Sequence, residues 1–67
     1  MDNKYWFISY TALDGPLAIR GNRAIVGSPA MWVFKRSKLW KHAIYLDCAV
    51  AITEDEFNIL SKEYIGG

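Results

Sequence analysis

Few side chains in this sequence are of the kinds that do covalent chemistry, and they are scattered. His42 is the only histidine and Cys48 the only cysteine. No serine, cysteine or acid stands at a catalytic motif spacing from His42, whose neighbours Lys41 and Ala43 put it at the end of a helical stretch. A cation there is favoured by the helix dipole, so the expected role of His42 is structural. Cys48 lies in an apolar run and is expected to be a small buried hydrophobe. One Cys and one His fall short of the roughly four ligands of a structural zinc site. Glu54, Asp55 and Glu56 are consecutive residues at a helix start, where side chains diverge, so capping explains them better than a metal does. The sequence holds no phosphate loop, no Gly-x-Gly-x-x-Gly and no nucleophile elbow. The reading is a non-enzymatic protein without cofactor or metal.

Binding chemistry is better represented. The net charge is only +1, but it is unevenly spread. No acid occurs between Asp14 and Asp47, a span that holds Arg20, Arg23, Lys35, Arg36, Lys38 and Lys41. From Asp47 onward come five acids and, among the cations, only Lys62. The middle is therefore basic and the last helix acidic, which suits either complementarity between two copies or a patch for a polyanion. Within Lys35–Lys41 the cations interleave with Trp40, and Tyr5, Phe7 and Tyr45 could form a stacking platform on a sheet. Nucleic-acid binding through Arg20, Arg23, Lys35, Arg36, Lys38, Trp40 and Lys41 is thus the alternative function. Against it, a net charge of +1 is low for a protein living on phosphates. Trp40 also reads as core, with the lysines as its solvated flank.

The elements that position these residues are compact. Sixty-seven residues make one domain, and a chain this short buries only about 60% of its unfolded surface. With one cysteine an internal disulfide is impossible, which leaves dense packing or self-association to supply stability. The composition, 52% hydrophobic with ten aromatics, is more apolar than so small a core can hide, so a homodimer is expected. The opening Met1-Asp2-Asn3-Lys4 has no signal-peptide character, and with no disulfide pattern the expected compartment is the cytoplasm. The ten-residue apolar run near Cys48 is too short for a membrane span, so no membrane partner is expected.

The firmest local signal is the junction at Ile52-Thr53. Ala43–Ile52 reads as a buried strand broken only by Asp47; Thr53-x-x-Glu56 is a capping box, and Ile52 and Phe57 take the two positions of a hydrophobic staple. Phe57, Leu60 and Tyr64 form the core stripe of the helix that follows. Upstream, Tyr5–Thr11 is a strand with Trp6, Ile8 and Tyr10 on one face. Asp14-Gly15 predicts a type I′ hairpin that pairs Ala12 with Leu17, Tyr10 with Ile19 and Ile8 with Gly21. The core face would carry Trp6, Ile8, Tyr10, Leu17, Ile19 and Ile25, with Gly21 a bulge or a close approach. A rival hairpin at Gly21-Asn22 sets Arg20 against Arg23 and is disfavoured. Ser28 and Pro29 suit the cap and first position of a helix over Ala30–Lys41. Arg36 interrupts the apolar face of that helix, and an extended Met31–Arg36 is the alternative.

The expected fold is α+β: a two-layer β-β-α-β-α domain, its three-stranded antiparallel sheet in order 2-1-3, with a right-handed crossover and two helices on one face. Strict alternation leaves Tyr5, Phe7, Ala18, Tyr45, Ala49 and Ala51 on the bare face. Tyr5, Phe7, Tyr45 and Ala49 are the candidate self-association interface. The Gly66-Gly67 end is similar to that of ubiquitin-like sulfur carriers, whose tail leaves a strand. Here it follows a helix, where glycine is ordinary termination.

Overall fold

The computed structural model describes residues 4–63, which run as β1 (Tyr5–Asp14), β2 (Leu17–Val26), α1 (Pro29–Trp40), β3 (Ala43–Ile52) and α2 (Glu54–Glu63). Tyr64 and the Gly66-Gly67 end lie outside the described residues. The strands form one antiparallel sheet in the order β2-β1-β3, the expected α+β topology. Residues 29–40 are helix, not an extended segment.

The β1–β2 hairpin turns one residue later than expected. Asp14 pairs with Leu17, so Gly15 and Pro16 are the central residues, and Ala12 faces Ile19, Tyr10 faces Gly21 and Ile8 faces Arg23. A type I′ turn at Asp14-Gly15 needs positive φ at both residues and would leave Pro16, which has no N–H, in the ladder. The observed turn asks for positive φ only of Gly15, at +59°, and uses the ring-locked φ of Pro16 for the second position, the pattern of type II′. A register shift of two keeps every side chain on its expected face. The rival turn at Gly21-Asn22 does not form; Leu17–Val26 is one continuous strand.

α1 packs over the face carrying Trp6, Ile8, Tyr10 and Ala12. Ile8, Tyr10, Ala12, Ile25 and Ile44 are buried there, with Trp6, Trp32, Val33, Trp40 and Ala49 packed around them. The Tyr10 ring lies 5.0 Å from Trp32 and 6.0 Å from Trp40. Leu17 and Ile19, expected in this core, are 61% and 50% exposed. They point to the right face, but α1 lies closest to β3 and leaves the start of β2 bare. Ser28 caps α1 by accepting from the Met31 N–H at 3.3 Å, and Pro29 follows it. Arg36, the interruption in the apolar face, lies with its guanidinium 5.5 Å and 5.4 Å from the Trp32 and Trp40 ring centroids. Its charge thus rests on aromatic faces and not in a hydrocarbon core.

β3 carries a β-bulge. Tyr10 pairs with Leu46 and Ser9 with Cys48, which leaves Asp47 as the extra residue. The Thr11 hydroxyl donates to Asp47 Oδ2 at 2.6 Å and ties the bulge to β1. Because a bulge shifts alternation by one, Ile44 and Leu46 share the α1 face with Ala49 and Ala51, while Tyr45, Cys48, Val50 and Ile52 point to the other side. Strict alternation had placed Ala49 and Ala51 beside Tyr45.

The same shift decides where α2 goes. The capping box forms in both directions: Thr53 N–H donates to Glu56 Oε1 at 2.9 Å, and Glu56 N–H to Thr53 Oγ1 at 3.1 Å. Ile52 now pairs with Tyr5 on the face away from α1, and the Phe57 ring lies 5.0 Å from that of Tyr5. The two helices therefore lie on opposite sides of the sheet, not together on one. Had β3 alternated without interruption, Ile52 would have pointed under α1 and drawn α2 to that side.

Gly21 sits under the buried Tyr10 ring. A Cβ there would come within 2.5 Å of the Tyr10 hydroxyl oxygen and 2.6 Å of the ring. Gly21→Ala should lower unfolding free energy by about 1–3 kcal/mol in urea titration, since the ring has no room to retreat; an unchanged midpoint would refute this. Lys41 ends α1 at φ 58°, ψ 37°, the left-handed region where glycine is at ease. Lys41→Gly should raise stability by about 0.5–1 kcal/mol in the same assay, the relieved strain outweighing the added freedom of the unfolded chain.

Candidate interaction surfaces

The four residues expected to form one interface are dispersed. Tyr5 packs on Phe57 of α2 and donates from its hydroxyl to Glu54 Oε2 at 3.4 Å. Phe7 is half-buried on the same face. Ala49 lies on the opposite face, against the core under α1. Tyr45 alone stands on open sheet, 57% exposed.

Beyond the reach of α2, that open surface consists of three rows across the sheet: Asn22–Ser9–Cys48, Arg20–Thr11–Tyr45 and Ala18–Leu13–Ala43. The first two rows are mainly polar. The Ser9 hydroxyl donates to Asn22 Oδ1 at 2.7 Å, and Ser9, Arg20, Asn22 and Asp47 line a depression of about 450 Å³. Cys48 is exposed here, contrary to the expected buried position, because the bulge turns it outward.

The candidate polyanion-binding residues divide between the two faces. Arg20 lies on the α2 side, away from the rest. On the α1 side, Arg23 of β2 stands 5.9 Å from the Trp32 ring centroid, so Trp32 receives guanidinium groups from both Arg23 and Arg36. Lys35 and Arg36, with Val26, Gly27, Ser28, Met31 and Trp32, line a second depression of about 340 Å³. Lys38 Nζ lies 4.5 Å from the Phe34 ring centroid, and Lys41 closes the helix. Trp40 is a core residue, edge-on to Trp32 at 6.1 Å. The Trp32-Arg36-Trp40 stack follows an i, i+4, i+8 spacing that is itself legible in the sequence, so the residue that interrupts the apolar face is the one that bridges its two indoles.

The remaining chemistry-bearing residues lie apart. His42 is half-buried between α1 and β3. Glu54 and Glu56 engage Tyr5 and the helix cap. Among the described residues no three His, Cys, Asp or Glu side chains gather to hold a metal ion, and no helix is long and apolar enough to cross a membrane. The chain matches no protein-family model, no curated protein and no solved structure.

The two sheet edges differ in charge. The free edge of β2 carries Arg20, Asn22 and Arg23 at its middle, the charged protection usual for an edge strand. The free edge of β3 carries no charge except Asp47. Its sequence, Ala43-Ile44-Tyr45-Leu46-Asp47-Cys48-Ala49-Val50-Ala51-Ile52, is apolar on both faces, as in strands with neighbours on either side. Yet most of its residues are exposed.

Proposed function

We propose that this chain is a non-enzymatic interaction module that works as a homodimer and acts by binding another macromolecule. The observation that carries the reading is the imbalance between core and surface. Five residues are buried, while eleven large apolar side chains among the described residues stand exposed, on α1, α2 and all three strands. At about 25 cal/mol per Å² of apolar surface, leaving so much of it in water forgoes stabilisation that a domain this small needs. A second copy recovers it. The single thiol and the absence of any disulfide suit the cytoplasm. Multi-angle light scattering at micromolar concentration should give twice the chain's 7.7 kDa; a mass of one chain across that range would end the proposal.

A second reading, polyanion binding, is favoured by one observation: Arg23, Lys35 and Arg36 converge around Trp32 beside the depression at the start of α1. Arg20 takes no part in it. Under this reading single-stranded oligonucleotides are retained at low salt and lost steeply as salt rises, and the double variant Lys35→Ala/Arg36→Ala loses retention first. Absence of retention at low ionic strength would dismiss it.

A further inference from the structure

We infer that the partner is a second copy of this chain joined edge to edge through β3, antiparallel, about a two-fold axis between Asp47 and Cys48. The inference rests on the self-association proposed above and names the surface that performs it.

The argument begins with the bulge. Two identical antiparallel strands related by a two-fold axis normal to the sheet must present the same sequence of faces when read from either end. A regular strand meets this only about a single residue, which then faces its own copy. In β3 the extra residue at Asp47 makes all ten positions meet it. From Ala43 to Asp47 the side chains point away from α1, toward it, away, toward, away; from Cys48 to Ile52 the pattern is the same in reverse. The face pattern is palindromic about the bond between Asp47 and Cys48, so every residue of the strand can meet a residue on its own side.

The side chains fit as well as the faces. In that register Ile44 meets the partner's Ala51, Tyr45 the partner's Val50, and Leu46 the partner's Ala49. Each pair sets a larger apolar group against a smaller one, the arrangement in which facing positions interdigitate. The one charge, Asp47, meets the partner's Cys48 and not another carboxylate, and it already accepts a hydrogen bond from Thr11. β2 has no bulge, so a two-fold pairing there must centre on a single residue, and its edge carries the charges of Arg20 and Arg23 that protect an edge strand. One edge of this sheet is thus apolar and self-complementary, and the other is guarded by two arginines.

Pairing β3 with β3 produces a continuous sheet, β2-β1-β3-β3-β1-β2, with the two α1 helices on one side and the two α2 helices on the other. The edges left open are the arginine-guarded ones.

The test is a charge reversal across the seam. Val50 is 51% exposed in the single chain, so Val50→Lys and Tyr45→Glu leave the fold intact, which far-UV circular dichroism checks. Each alone should weaken the dimer on the order of 100-fold, the scale of an unpaired charge forced into an apolar seam, and light scattering should read one chain. The double variant Tyr45→Glu/Val50→Lys sets opposite charges face to face and should restore twice the mass. Leu17→Lys, on the β2 edge, should leave the dimer unchanged. If the wild type is a dimer but Val50→Lys is too, or if Leu17→Lys breaks it, the β3 seam is wrong and self-association stands on another surface. If both single variants are folded monomers and the double variant stays monomeric, this register is wrong. A monomeric wild type overturns the seam and the functional reading together.

Discussion

One extra residue in an edge strand governs the architecture. Asp47 is skipped in the pairing register with β1, and the bulge it creates turns the last five residues of β3 over relative to the first five. That puts Ile52 beside Tyr5 on the face away from α1, and the staple between Ile52 and Phe57 carries α2 to the same side. Without the bulge both helices would crowd one face and the other would be bare. The hydroxyl of Thr11, holding the Asp47 carboxylate at 2.6 Å, anchors this irregularity at the centre of the sheet.

The core is correspondingly thin and aromatic. A ten-residue strand lies under a twelve-residue helix, and what fills the space is the group of Tyr10, Trp32 and Trp40, with Ile8, Ile25 and Ile44 beneath. A ring as large as that of Tyr10 fits only because β2 offers a residue without a side chain opposite it, at Gly21. Arg36 then bridges the two indole rings from the surface, so a cation takes part in the packing where a hydrophobe would ordinarily sit. The apolar residues this small core cannot reach remain outside, which is the physical reason the chain is read as needing a partner.

Charge follows the same division. α1 carries Lys35, Arg36 and Lys38, and α2 opens on Glu54, Asp55 and Glu56. With the helices on opposite sides of the sheet, the molecule has a basic side and an acidic side, separated by the sheet and not neutralising one another. Any partner larger than a second copy meets one sign or the other according to which side it approaches.

The sequence by itself determined the elements, their order and the strand arrangement. Each rests on signals a few residues long: alternation in Tyr5–Thr11, Ser28-Pro29 at the head of α1, Thr53-x-x-Glu56 at the head of α2. Such signals act between neighbours and survive whatever the rest of the chain does. Only the tertiary structure decided the hairpin register, the bulge, the side taken by α2 and which apolar residues stay in water. Those depend on competition between pairings far apart in the chain: Pro16 against the ladder, Asp47 against Thr11, Tyr10 against Gly21. Alternation read along one strand assumes that no residue is skipped. Cys48, Ala49 and Ala51 changed faces because one was, and the strand that read as fully buried proved to lie at an open edge.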